Sequence, residues 1–241
     1  MSFFKKIFGN DQNDSRQDSE NVVDLPCVTI GSQVWTTENL DVSSFKNGDV
    51  IHHATTEEDW INCTQKNIPA WCYPIDKLGD ESETTAYGKL YNWYAVNDKR
   101  GLAPAGWRIP AKADWEAIAT HVGEDGLTRS WSADTIYGDA GTEIKGEKQL
   151  MFCGIGTPDE DGFKLRSTEW RGNNSTGFNA QDSVWRDDDG MYSFSGLSAW
   201  WSTTKQGKGE SWHFMLSSGA NGIILNYELH GSGMYVRCLR N

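Results

Sequence analysis

The sequence lacks the motifs that most often mark zinc sites, phosphate-binding loops and hydrolase nucleophiles. No two of its five cysteines form a C-x-x-C pair, and H-E-x-x-H, G-x-S-x-G and G-x-x-x-x-G-K-[ST] are all missing. Each of these patterns sets its donors or its nucleophile at the spacing that the chemistry requires. Adjacent His52 and His53 would point to opposite sides of a strand, which does not suit one shared ion. We therefore predict no metal site and no catalytic residue.

Basic residues are scarce relative to acidic ones. The chain has 22 Lys and Arg residues against 34 Asp and Glu residues, which gives a formal net charge of −12 at pH 7. A protein with this charge repels the phosphates of nucleic acids and the surfaces of anionic membranes. We therefore expect nucleic acid not to be a partner, and we assign the charge a role in solubility.

Long apolar runs are also missing. No segment approaches the roughly 20 apolar residues of a transmembrane helix. The N-terminus shows neither the apolar core nor the small-residue cleavage site of a signal peptide. We predict a cytoplasmic protein with reduced thiols, while arrival at the cell surface by another route stays open.

The N-terminal segment has a composition of its own. Residues 1–8 place four apolar side chains at helical spacing beside two lysines, which is compatible with a short amphipathic anchor or with a frayed terminus. Residues 9–24 are polar, acidic and free of aromatic side chains, which is typical of disorder. We predict a tail over residues 1–24, in which only residues 1–8 can touch a membrane, and a folded domain over residues 25–241.

Aromatic residues are abundant, at 12% of the chain with 12 tryptophans. They are prominent in a C-terminal stretch where short aromatic or branched runs alternate with turns rich in Gly, Ser and Asn, which is typical of antiparallel strands. The predicted strands are Trp200–Thr204, Trp212–Leu216, Ile223–Tyr227 and Tyr235–Leu239. The two-residue period places Trp212, Phe214 and Leu216 on the core face, with His213 and Met215 on the opposite face.

Three local patterns predict further elements. Val28–Ile30 and Gln33–Thr36 flank Gly31 and read as a β-hairpin. Ala113–Val122 carries apolar residues at helical spacing after Pro110 and is predicted to be a helix. The acidic run Asp187–Gly190 ends in Asp-Gly, which favours the tight turn of a hairpin after Ser183–Arg186.

Seven motifs in order resemble the Fibrobacter succinogenes major paralogous domain. They are VTIGSQVWTTENL (28–40), WCYP (71–74), YGKLYNWYAV (87–96), GLAPAGWRIPAKADWEAI (101–118), GFNA (177–180), WWSTT (200–204) and YVRCLRN (235–241). That family is similar to the formylglycine-generating-enzyme branch of the C-type-lectin-like fold. The resemblance implies an α+β domain with a twisted antiparallel sheet, few helices and long ordered loops.

The resemblance and the missing catalytic motifs favour a non-enzymatic domain that binds a protein or carbohydrate ligand. Loops and outer strand positions carry recognition when a rigid sheet fixes them, and a mixture of Tyr, Ser, Asn and His is typical of adaptable binding surfaces. We predict that the ligand-binding residues are Tyr192, Ser198, Ser211, His213, Met215, Asn226, Glu228 and His230. Ordinary exposed strand surface is the alternative interpretation of these positions.

Other hypotheses stay open. The resemblance extends to the variable proteins of diversity-generating retroelements, whose C-terminal positions vary on a fixed scaffold. An enzyme of the formylglycine-generating type would use Cys153 or Cys238, although buried inert thiols are the simpler interpretation. The carboxylates of Asp182, Asp187, Asp188 and Asp189 suit Ca²⁺, but a solvated hairpin tip explains the last three equally well. A structural module tethered by its N-terminus is a further alternative.

Overall fold

The computed structural model describes residues 22–75, 79, 85–122, 150–152, 164–217 and 223–241. The amphipathic segment predicted over residues 1–8 and the candidate Cys153 lie outside these ranges. Val23 already packs on the domain, because its amide donates to the Ala105 carbonyl at 3.0 Å and its carbonyl accepts from Trp107 Nε1 at 2.7 Å. Packing against the domain therefore begins before Leu25, which is the start of the folded domain that the composition predicts.

Short strands and a few helices alternate in the described part of the chain. In order they are β1 (Cys27–Ile30), β2 (Gln33–Thr36), β3 (His52–His53), α1 (Glu57–Lys66), β4 (Ala70–Cys72), a 3-10 turn (Thr85–Tyr87), β5 (Leu90–Asn92), α2 (Trp93–Val96), β6 (Trp107–Arg108), α3 (Lys112–Val122), β7 (Leu150–Phe152), β8 (Ser183–Arg186), β9 (Tyr192–Lys205), β10 (Glu210–Ser217), β11 (Ile223–Leu229), β12 (Gly233–Met234) and β13 (Leu239–Arg240). No helix in these ranges combines the length and the apolar character needed to cross a bilayer.

The strands form two sheets. A four-stranded sheet has the order β1-β2-β13-β6, and a nine-stranded sheet has the order β3-β4-β5-β12-β8-β9-β10-β11-β7. Pairing between β3 and β4 is parallel, and the other named strand pairs are antiparallel. This confirms the predicted α+β class.

Several predicted elements are present with small changes in their bounds. The hairpin of β1 and β2 pairs Val28 with Trp35 around a turn in which Gly31 has a φ of 60°, a conformation that favours glycine. Helix α3 begins one residue before the predicted start and buries Trp115 and Ile118. The strands predicted within β9, β10 and β11 all exist, and each observed strand is longer than predicted.

The predicted strand Tyr235–Leu239 is wrong. Tyr235 makes only an isolated bridge to Trp200, and a separate strand, β13, begins at Leu239 in the other sheet. Between them, the Val236 carbonyl accepts from the Leu40 amide at 2.8 Å and the Cys238 carbonyl accepts from the Thr36 amide at 2.9 Å. The run therefore passes from one sheet to the other, because its backbone groups bond to the end of β2 and to the segment after it.

Apolar side chains cover both faces of the sheet formed by β9, β10 and β11. On one face Phe214 stacks on Trp115 of α3, with ring centroids 4.4 Å apart and planes 11° apart. On the other face Met215, Ile224 and Trp201 belong to a second core cluster. The expectation that this second face is exposed is therefore wrong.

Because Trp115 stacks on Phe214, replacing Trp115 should destabilise the protein more than replacing Trp212, which lies on the same side of the sheet. Trp115 is fully buried, and its replacement by alanine should lower the free energy of unfolding by about 3–5 kcal/mol. Trp212 is only half-buried, between the Tyr227 ring and the Lys112 ammonium, so Trp212→Ala should cost clearly less. Urea unfolding of both variants measures the difference, and equal losses would contradict this packing.

Candidate ligand-binding site

The eight predicted binding residues do not share an exposed face. Five of them are buried. His230, in the loop after β11, is 9% exposed, and the other four are at most 6% exposed. These four are Ser198, Ser211, His213 and Met215. Ser211, His213 and Met215 share one side of β10 as predicted, but the second core cluster covers that side. Ser198 pairs with Leu216 on the other side of the sheet, which the core cluster around Trp115 covers. Their assignment to an outward face is wrong, because alternation shows which residues share a face and not whether another layer covers it.

His213 shows how complete this burial is. Its ring lies edge-on to Trp185 and Trp201, with centroid distances of 5.9 and 6.3 Å. Neither ring nitrogen has a hydrogen-bond partner within the described part of the chain. Burial lowers the pKa of His213 to about 3. The imidazole is therefore neutral at physiological pH and acts as a core side chain.

Tyr192 and Asn226 are half-buried, but they lie apart from each other. The Tyr192 hydroxyl donates to the Tyr73 carbonyl at 3.0 Å, and the Arg186 guanidinium lies 4.8 Å from the centre of the Tyr192 ring. Tyr192 therefore packs against the first core cluster, which contains Trp115. Asn226 is opposite His213 in the β10–β11 ladder. Tyr192 and Asn226 therefore do not form one ligand-facing patch on the described surface.

Glu228 and His230, in contrast, lie at the same end of β11. His230 stacks on Trp93 with centroids 4.0 Å apart, and it meets the edge of Tyr94 at 5.9 Å. Its Nε2 lies 2.9 Å from the buried Ser211 hydroxyl, which explains the burial of that serine. Thus the loop after β11 holds the imidazole against the start of α2.

The turn between β8 and β9 reaches the same end of the sheet. Its form is as predicted: the Gly190 amide donates to the Asp187 carbonyl at 3.0 Å, and Gly190 has a φ of 87°. The loop after His230 contacts this turn closely, because a Cβ at Gly231 would lie 2.9 Å from Asp188 Cβ and 2.3 Å from Thr64 Cγ2. The absence of a side chain at Gly231 therefore lets α1, the turn and the loop meet.

This arrangement gathers carboxylates, and we call Asp187, Asp188 and Glu228 the acidic cluster. Burial, followed by the charges of Asp189 and Asp188, raises the pKa of Asp187 to about 6. Burial also raises the pKa of Glu228, with a further contribution from Asp187, Asp188 and Glu210. Groups with pKa values displaced in this way concentrate at functional sites.

Two further side chains border the acidic cluster. Burial and the charge of Asp188 raise the pKa of the half-buried Tyr94. Lys205 lies with its ammonium 5.3 Å from the Trp93 ring centre, and burial and the charge of Lys205 lower the pKa of His230. The site therefore offers anionic oxygens, a phenol and an imidazole, with the Lys205 ammonium on the side of His230. Such groups bind ammonium, guanidinium or hydroxyl donors.

Only part of this site is predictable from the sequence. Glu228 and His230 are among the predicted binding residues, whereas the sequence indicates a hairpin turn or Ca²⁺ ligands for Asp187 and Asp188 and assigns no role to Tyr94. The acidic run was a visible signal, but only the tertiary contact with Gly231 brings it to β11.

The four aspartates suggested for Ca²⁺ do not converge. Asp182 lies at the opposite end of β8 from Asp187, and its charge acts on Arg166 and Tyr235. A four-residue strand spans about 13 Å, which is too far for one ion.

The thiol suggested for catalysis is inert. Cys238 is buried, and this burial raises its pKa to about 12. Its thiolate is therefore very sparsely populated at neutral pH, and the thiolate is the reactive form. Cys153 lies outside the described residues.

The family model of the Fibrobacter succinogenes major domain matches residues 28–240 of the chain. No curated protein and no solved structure matches the chain.

The raised pKa of Asp187 predicts a pH-dependent effect of removing its charge. The folded pKa of about 6 exceeds the reference value of 3.8, so ionisation of Asp187 weakens folding as the pH rises through this window. Asp187→Asn should therefore raise the melting temperature at pH 7.5, and raise it less at pH 5.

Asp98→Asn is the matched control. Its hydrogen bonds with Arg100 lower the pKa of Asp98, so the stabilisation from its ionised form is present above the reference value and is lost at lower pH. Removing that charge should lower the melting temperature at pH 7.5. A destabilised Asp187→Asn protein at both pH values would contradict the account of the acidic cluster.

Proposed function

We propose, on the premise that the chain belongs to the Fibrobacter succinogenes major domain family, that it is a non-enzymatic ligand-binding domain with a C-type-lectin-like fold. Its ligand is a protein or a carbohydrate, and the binding site is the acidic cluster at the end of the C-terminal sheet. The observation that carries this proposal is the close approach of the β8–β9 turn to the loop after β11 at Gly231, which brings Asp187 and Asp188 near enough to Glu228 to raise its pKa.

Like charges held together by the fold favour a ligand that neutralises them. Asp187 and Glu228 each gain part of their pKa shift from neighbouring carboxylates. A cation placed among them would reverse this contribution, because an opposite charge stabilises the ionised form. Tyr94 adds a half-buried aromatic ring beside the same oxygens, and such a ring attracts cations.

Among the two ligand classes, a protein segment with arginine or lysine suits the site better. Guanidinium groups form paired hydrogen bonds with carboxylates. The net charge of −12 would also speed the approach of a basic partner. Carbohydrate hydroxyls can bond to the same oxygens, but they leave the carboxylate repulsion in place.

The binding residues of this proposal differ from the sequence prediction. Glu228 and His230 are retained, and Asp187, Asp188 and Tyr94 are added. If a retroelement diversifies this domain, variation belongs at half-buried positions such as Tyr192, Asn226 and Glu228. Substitution at His213 or Met215 would disturb a packed layer.

We also propose a cytoplasmic location and no nucleic-acid partner, with any membrane contact confined to residues 1–8. The inert Cys238 thiol means that an enzyme of the formylglycine-generating type would depend on Cys153. No described feature favours that alternative.

A peptide array tests the proposed site. Matched peptides differ only by arginine or glutamine at one position, and a glycan array runs in parallel. The wild-type protein should bind a subset of arginine peptides, with binding that weakens as salt increases. Asp188→Asn with Glu228→Gln should reduce that binding by at least about tenfold, because a charge-assisted contact of this kind is worth more than 1.4 kcal/mol.

The control variant removes the same number of negative charges at positions outside the proposed site. Glu38→Gln with Glu169→Gln removes two exposed carboxylates outside the site and should leave binding within about twofold, as expected for surface charges. Equal peptide binding by the wild type and the site variant would refute the acidic cluster as the binding site. Binding restricted to glycans would refute the choice of a basic protein ligand.

A further inference from the structure

Three side chains of metal-binding types meet beside α1. The imidazole of His52, the carboxylate of Asp59 and the thiol of Cys63 place one ligand atom each within 4.8 Å of the other two. His52 Nε2 lies 2.9 and 3.0 Å from the two carboxylate oxygens of Asp59. The group is separate from the acidic cluster in its residues and does not depend on the proposed function.

Local structure brings the three together. Thr56 caps α1, with its hydroxyl accepting from the Asp59 amide at 3.1 Å, which fixes the start of the helix. Asp59 and Cys63 are four residues apart in this helix and therefore lie on one face, one turn apart. β3 ends three residues before Thr56, so the short connection brings His52 beside the face of α1 that carries Asp59 and Cys63.

Exposure changes in steps across the three residues. Cys63 is fully buried, whereas the side chains of Asp59 and His52 are 30% and 46% exposed. The sulfur therefore lies at the inner end and the imidazole at the outer end. The His52 and Asp59 side chains therefore form a solvent-facing side of the group.

We propose that His52, Asp59 and Cys63 bind a zinc-type divalent ion and leave a fourth position for water or a ligand atom. One nitrogen, one oxygen and one sulfur donor are the mixture that zinc accepts in tetrahedral sites. Three protein ligands with an open position are typical of reactive rather than purely structural zinc sites.

The distances fit this ion after small side-chain rotations. Tetrahedral zinc bonds of 2.0–2.3 Å set the ligand atoms about 3.3–3.8 Å apart. The contact between His52 and Asp59 at 2.9 Å must open slightly, and Cys63 Sγ must close from a range that reaches 4.8 Å. The exposed imidazole is free to make most of this adjustment. Binding displaces the thiol proton of Cys63, which passes to solvent.

The proposed site differs from the prediction that the chain has no metal site. That prediction depended on the absence of motifs such as C-x-x-C and H-E-x-x-H, in which two ligands of the same kind lie at a fixed spacing. Here each ligand is of a different type. His52 lies in a strand, seven residues before Asp59, and Asp59 lies in a helix, four residues before Cys63. No single motif describes that combination.

Cobalt provides a spectroscopic test with the full-length, reduced protein free of affinity tags. Co²⁺ should bind with one-to-one stoichiometry, giving the charge-transfer absorption of a cobalt–thiolate bond and the intense visible bands of tetrahedral cobalt. Zn²⁺ should displace it. Cys63→Ser should abolish the thiolate band, and His52→Ala should weaken Co²⁺ binding at least about tenfold, since even outer-shell partners matter that much.

The control variant is Cys27→Ser, which removes an exposed thiol outside the group and should leave the titration unchanged. Circular dichroism without metal checks that Cys63→Ser is folded. Because His52 lies near the surface, His52→Ala provides a second test if the serine variant unfolds. Absence of saturable binding to the wild type, or a thiolate band that persists in Cys63→Ser, would overturn the proposal.

Discussion

Burial of both faces of the sheet formed by β9, β10 and β11 is the constraint on which the rest of the structure depends. Phe214 and its neighbours pack under Trp115 of α3, while Met215 and Trp201 pack into the second cluster. A sheet covered in this way cannot offer its strand faces to a ligand. Recognition must use strand ends and turns, and the acidic cluster lies at such an end.

A second constraint joins the two sheets. Arg237 is 1% exposed, and it donates to the Thr36 carbonyl at 2.9 Å and to Asn39 Oδ1 at 2.8 Å. Trp200 Nε1 donates to the same Asn39 oxygen at 2.8 Å. One amide oxygen thus connects β9, the C-terminal run and the segment after β2, and burial of the guanidinium lowers its pKa to about 9. Such a connection makes the sheet a rigid support for the turns at its end.

Local chemistry made much of the fold predictable from sequence. The hairpin of β1 and β2 needs only its strand pattern and Gly31, and α3 needs only its apolar period. The second layer over His213 was not predictable in this way, because it includes Trp185, which is 28 residues away along the chain. The acidic cluster and the His52 group depend in the same way on contacts between distant segments, such as the approach of Gly231 to Thr64 and Asp188.

Titration of the histidines by NMR tests the central claim most directly. If the second layer covers the sheet, the His213 ring signals stay at their neutral positions as the pH falls, until the protein unfolds or the pH approaches the pKa of about 3. The His213→Gln variant assigns those signals. Titration of His213 near pH 6.5, as for an imidazole in water, would show that this face is open and would contradict the account.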